Sequence, residues 1–218
     1  MEEDKKINAD ELKEETKDTF NKVKSEIKDA NFKEETVKAT NFVKEMIMNP
    51  IAAVRETAQG NGPKLATIIM IVIAFVLVNV CYEIISLFKY SYGSFGDKLW
   101  DVLTAILEPL FLLLVPSILV FLWNKNKKTL LTTISTFALA QVPTIFSTVV
   151  SLVYLLISQL SIVTTPINAG LGVVQTILTY FGVKTLLDED DESFVLKFVV
   201  LEVVTTLIIV ILRRLGVC

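Results

Sequence analysis

The sequence predicts an all-α fold: a polytopic helical membrane protein with five transmembrane helices and an N-terminal amphipathic helical extension. Three observations predict it. Of 218 residues, 52% are hydrophobic, more apolar surface than a small soluble domain can bury. Charge is segregated: residues 1–48 hold 10 Lys and 13 Asp or Glu, 23 of the 45 charged residues, and leave 22 for residues 49–218. The second part also contains apolar runs of bilayer-spanning length.

The extension, residues 1–48, reads as helix. Leu12, Thr16, Phe20, Val23 and Ile27 are spaced to share one helical face. Residues 11–27 are echoed twenty positions later, Lys13 by Lys33, Thr16 by Thr36, Asn21 by Asn41, Val23 by Val43 and Ile27 by Ile47. This describes two similar amphipathic helices, or one long one, each copy about 25–30 Å at 1.5 Å per residue. Two readings fit. One is a marginal charged helix, partly disordered alone. The other is a helix that lies on the membrane or pairs with a partner. The mixed-sign polar face lacks the Lys/Arg excess of an anionic-lipid binder, which favours protein pairing. The candidate partner-contact stripe is Leu12, Phe20, Val23, Ile27, Phe32, Val43 and Ile47.

Residues 49–63 read as an interfacial helix and linker. A short segment begins at Met48-Asn49-Pro50 and runs to Gln59, and Gly60-Asn-Gly-Pro63 breaks it with three turn-formers in four residues. A five-span membrane domain follows over 64–214, with spans at about 65–88, 100–123, 130–158, 162–187 and 194–212. Residues 65–82 contain only Thr67 and Asn79 as polar interruptions. Trp100 and Trp123 bracket the second span as interfacial anchors. Pro143 interrupts the third, and Pro166, Gly170, Gly172 and Gly182 mark the fourth.

Five spans put the termini on opposite sides. With a cytoplasmic N-terminus that side holds Arg55, Lys64, Lys125, Lys127, Lys128, Lys184 and Lys197, against Lys89, Lys98, Arg213 and Arg214 outside. The balance supports a cytoplasmic N-terminus, although the Arg213-Arg214 pair opposes it. No cleavable signal pattern precedes the first span, which is expected to serve as an uncleaved signal-anchor.

Several chemistries are excluded. The chain has no histidine, which removes His-based acid–base work and His-ligated metal. Cys81 and Cys218 read as free thiols. No Walker loop, GxSxG, HExxH or carboxylate-pair pattern is present. The expectation is a non-enzyme with no catalytic residue, no metal and no cofactor. Dispersed basic residues exclude nucleic acid as a partner. The acidic run Asp188-Glu-Asp-Asp-Glu192 reads as a solvated loop.

Glu83, Glu108, Gln141, Gln175 and Glu202 fall within or near spans, where ionisable groups are costly and point to function. Pro109 and Pro116 are seven apart and share one face of the second span. With Glu108 they could line a polar cavity faced by Gln141 and Pro143. Glu202, near mid-depth in the fifth span, completes the candidate intramembrane polar site. Ordinary kinked and packed helices are the plainer reading of the same residues.

Met48-Asn49-Pro50, the amphipathic stretch after it, Pro63 and the apolar span beyond resemble the start of the Yip1 domain in its bacterial branch. Leu130 to Val149, with Ala138-Leu-Ala-Gln-Val-Pro143 after the basic loop Asn124-Lys-Asn-Lys-Lys128, resembles that family's third span. The resemblance covers about 49–214 and leaves the extension unmatched. It implies five spans, a cytoplasmic N-terminus, and a role in membrane organisation or as an adaptor. The Lys/Glu-rich, Arg-poor composition with that core leans toward a bacterial cytoplasmic membrane. The expected function is a membrane scaffold or adaptor that recruits other proteins through residues 1–48, in contact with the lipid bilayer and capable of homo-oligomerising. The alternative is a small transporter or channel using spans 2 and 3.

Overall fold

The computed structural model describes residues 17–18, 20–21, 24–25, 32–90, 94–123, 128–157, 160–189 and 191–214. Among them the fold is helical, with no strand. The helices are α1 (Phe32–Met48), α2 (Pro50–Gln59), α3 (Leu65–Tyr90), α4 (Phe95–Trp123), α5 (Leu130–Ala140), α6 (Val142–Leu156), α7 (Ser161–Leu187) and α8 (Asp191–Arg214). Five segments are long and apolar enough to cross a membrane: Leu65–Tyr90, Phe95–Trp123, Leu130–Leu156, Ile162–Leu187 and Phe194–Leu212. The chain is an integral membrane protein by this measure.

Local chemistry sets the boundaries. Pro50 opens α2 with a φ suited to the first turn. Gly60, at φ +95, closes it. Its N–H donates to the Thr57 carbonyl at 2.9 Å, and the Asn61 N–H donates to Glu56 at 2.8 Å. These two bonds form a Schellman end that needs a left-handed residue. Thr129 caps α5, its hydroxyl accepting the Thr132 N–H at 3.1 Å. The third span breaks at Gln141, two residues before the proline expected to interrupt it. Pro143 has no N–H for the Leu139 carbonyl, and α6 restarts with Thr144 and Ile145 donating to the Gln141 carbonyl. By contrast, α4 stays one helix through Pro109 and Pro116. It begins five residues earlier than expected, so Trp100 lies inside the helix and only Trp123 ends it.

The spans tolerate many hydroxyls because many are bonded within their own helix, although Thr205 of α8 is buried with no partner among the described residues. The hydroxyls of Thr133, Thr136, Thr148, Thr176, Thr179 and Thr185 donate to the carbonyl four residues back, at 2.8–3.2 Å. A bonded hydroxyl in lipid avoids the cost of an unpaired polar group. Hence α7 crosses at a hydropathy of only 1.3.

Buried side chains gather at one end of the bundle. They come from the start of α3 (Ile68, Ile71), the end of α4 (Val120), α5 (Phe137 to Ala140), the end of α7 (Leu178, Val183, Leu186) and the start of α8 (Phe194). This is the end that carries α1 and α2. Helix α5 is the hub, packed on α2, α3, α4 and α7. It is built from small residues, which allow close backbone approach between membrane helices. The α2 segment, expected as an interfacial helix, has its apolar side covered by α5 and α7: Val54 and Ala58 are 0% exposed. Helix α1 seats Ala39, Phe42, Val43 and Met46 against α3 and α2. Burying a side chain the size of Met46 or Val54 contributes about 1.5–3 kcal/mol.

Gly182 lies where α2, α5 and α7 meet. A Cβ there would approach Thr136 Cγ2 to 2.8 Å and Val54 Cγ1 to 2.9 Å, whereas one at Gly172 would meet nothing within 4 Å. Gly182→Ala is therefore expected to destabilise the protein by about 1–3 kcal/mol, read as a lower unfolding temperature in detergent. Gly172→Ala should leave that temperature unchanged or raise it. Equal effects of the two would contradict the packing described.

Candidate functional site

The candidate polar residues fall on three packed elements. Pro109 and Pro116 are buried in α4, Gln141 and Pro143 are buried at the α5–α6 break, and Glu108 and Glu202 are half-buried on α4 and α8. Helix α4 packs against both α5 and α8. At 1.5 Å per residue, Gln141 lies about 16 Å from the start of its span, between the depths of Pro116 (about 10 Å) and Glu108 (about 22 Å) from the same end. Glu202 lies about 12 Å from the start of its span. Counted along the helices, these groups are spread over depths of about 10 to 22 Å from the α1–α2 end. Gln141 Oε1 accepts from the Thr144 hydroxyl at 3.0 Å, a bond within its own span. Asn168 Nδ2 donates to Ser151 Oγ at 2.9 Å and ties α7 to α6.

The N-terminal stripe is placed in part. Leu12, Val23 and Ile27 lie outside the described residues, as does the side chain of Phe32. Phe20 is exposed, Val43 is half-buried against the core, and Ile47 is exposed. The face that packs within the molecule is Ala39–Phe42–Val43–Met46. It shares Val43 with the stripe read in the sequence and is rotated from it by about half a residue, 50°. The apolar groups left outward on α1 are Val37, Ile47 and Met48. Glu34 and Lys38 form an i,i+4 ion pair at 2.6 Å. Lys38 holds the Glu34 carboxyl below its usual range, and Lys64 adds to the pull.

Two clefts open on this same end. One, of about 190 Å³, lies between α1 and α2 beside Phe42, Asn49, Glu56 and Asn61. The larger, about 640 Å³, lies where the α2–α3 turn meets the start of α5, lined by Thr57, Lys64, Thr129, Leu131, Thr132 and Ser135 among others. Lys128 Nζ donates to the Gln59 carbonyl at 3.4 Å and ties the approach to α5 to the end of α2. The Thr129 and Thr132 hydroxyls share a hydrogen bond at 3.0 Å.

Sequence reading missed this cleft. A cap-forming Thr before an apolar run was the available signal, but nothing local says that Lys64 and Ser135 meet across two spans. It also missed Arg55, whose guanidinium stacks 4.5 Å from the Phe181 ring centroid. Among the described residues no cluster of three metal-ligating side chains occurs, and Glu189 of the acidic run pairs with Lys197.

The Arg55–Phe181 contact fastens α2 to α7. A double-mutant cycle with Arg55→Ala and Phe181→Leu should return a coupling of about 0.5–1 kcal/mol in the unfolding free energy. Additive losses would show that the contact carries no energy of its own.

No family model, no curated protein and no solved structure matches this chain.

Proposed function

We propose that this chain is a non-enzymatic membrane scaffold or adaptor, Yip1-like over about 49–214, that recruits a protein partner at the end formed by α1 and α2. The observation that carries the reading is the two-faced packing of α1. Its inner face is seated on the membrane domain, while Val37, Ile47 and Met48 remain outward. Val37 and Met48 are eleven positions apart in the sequence, about three turns, so they align. A charged helix held rigidly at the mouth of a bundle is a suitable anchor point for another helix.

Orientation belongs to the same proposal. Arg55, Lys64, Lys128, Lys184 and Lys197 lie at the end carrying α1 and α2, against Lys89, Lys98 and the Arg213-Arg214 pair that ends α8 at the other. The positive-inside rule then makes the α1–α2 end cytoplasmic. A bacterial cytoplasmic membrane is the proposed location.

In-cell crosslinking of the full-length protein tests both parts. A membrane-permeant reagent is expected to capture a partner, and an impermeant reagent applied to intact cells is not. The double substitution Val37→Ser and Met48→Ser should abolish capture without lowering the unfolding temperature. Undiminished capture by that variant would sink the recruitment reading. Capture by the impermeant reagent would reverse the orientation.

A second reading, transport, is favoured by one observation: the break at Gln141 in a span that packs against the two-proline helix α4. Broken helices at mid-depth mark transporter sites. On that reading Glu108→Gln changes solute or proton flux in proteoliposomes. Absence of flux in the wild-type protein would remove it.

A further inference from the structure

We propose that the 640 Å³ cleft at the start of α5 binds a phosphoryl group. The argument begins with its position. Lys64 directly precedes α3 and Thr129 directly precedes α5, two spans that start on the same side. The cleft therefore opens at the membrane–water boundary, where phospholipid phosphates lie just outside the hydrocarbon core.

Its lining offers donors. Lys64 supplies a cation, and among the described residues it has no ion pair within 4 Å. Glu34, on which Lys64 exerts a minor pull, is ion-paired to Lys38. Thr129 and Thr132 add hydroxyls, and Leu131 presents a first-turn backbone N–H for which the helix itself has no acceptor. The N-terminus of α5, eleven residues long, adds the positive end of its dipole.

A separate observation points to a ligand. Ser135 lines the cleft and is 9% exposed. Its neighbours Thr133 and Thr136 donate back to carbonyls four residues earlier, but the Ser135 hydroxyl makes no hydrogen bond among the described residues, and its oxygen is open to the cleft. A hydroxyl that opens into a cleft and is engaged by nothing in its own helix is available to donate to a bound anion. A phosphoryl oxygen in the cleft accepts that bond and meets Lys64 as a charge-assisted partner. The volume falls in the range of small-molecule sites and accommodates a glycerophosphate headgroup as well as inorganic phosphate.

The test uses the delipidated full-length protein in detergent. The probes are phosphatidic acid, diacylglycerol as its phosphate-free counterpart, and inorganic phosphate. Native mass spectrometry reads lipid retention, and thermal unfolding reads phosphate protection. Wild-type protein is expected to retain phosphatidic acid and not diacylglycerol. Lys64→Gln and Ser135→Ala should each weaken retention by about tenfold, while Lys98→Gln, at the opposite end, should not. Lys64 is exposed, so Lys64→Gln reports on the ligand even if Ser135→Ala disturbs folding. Protection by inorganic phosphate that depends on Lys64, without lipid retention, supports the site with a soluble ligand as its source. Neither retention nor protection overturns the proposal. So does retention that is equal in wild type and Lys64→Gln, or equal for phosphatidic acid and diacylglycerol.

Discussion

The contact at Gly182 is the constraint on which the rest of the architecture depends. Three helices converge there, one short and outside the spans, two crossing. The room for Val54 of α2 and Thr136 of α5 exists only because α7 has no side chain at that position. Lipid gives membrane helices no hydrophobic push toward one another, so close packing must supply the association. Once α2 is seated, its Schellman end at Gly60 turns the chain back toward the membrane. That turn sets Lys64 and the start of α3 beside the cap of α5. Helix α1 then closes over α3 with Met46 as its deepest residue. The seat of α2 therefore determines both the outer face of α1 and the shape of the larger cleft.

The bundle is asymmetric as a result. Toward the α1–α2 end, all eight helices contribute to a buried cluster. At the other end the spans are held by fewer ties, among them Lys89 donating to the Leu155 carbonyl. There Phe88, Phe95 and Ile162 are more than four-fifths exposed. In water such exposure would demand a partner. In a bilayer, lipid covers it without cost. Close packing and the two described clefts therefore coincide at one membrane face, the face on which the proposed protein and phosphoryl contacts both lie.

Much of this was legible in the residues. Apolar run length defined the five spans, because bilayer thickness imposes it regardless of tertiary detail. The Gly60-Asn-Gly-Pro63 break and the Pro50 start were equally local. What escaped was relational. The stripe through Val43 and Ile47 was read from apolar spacing alone, yet the packed face is Ala39–Phe42–Val43–Met46. A rotation of about half a residue is decided by what α3 and α2 present, and a small alanine at position 39 lets them approach. Similarly, Pro143 foretold a break but not that Gln141 would carry it, nor that α4 would run unbroken through two prolines. Proline removes one hydrogen bond in either case. Whether the helix stops is settled by its neighbours.

Threonine usage links the two ends of the argument. Back-bonded hydroxyls make α5 and α7 tolerable in lipid at modest hydropathy, and their small size lets α5 sit at the centre. In α5 that pattern holds at Thr133 and Thr136 and lapses at Ser135. Position 135 lies between two self-satisfied residues on a helix whose other polar groups are accounted for by caps and carbonyls. Its hydroxyl opens instead on the larger of the two clefts described at this membrane face, with Lys64 at the rim. The departure from the helix's own rule is thus what ties the centre of the packing to the cleft at its surface.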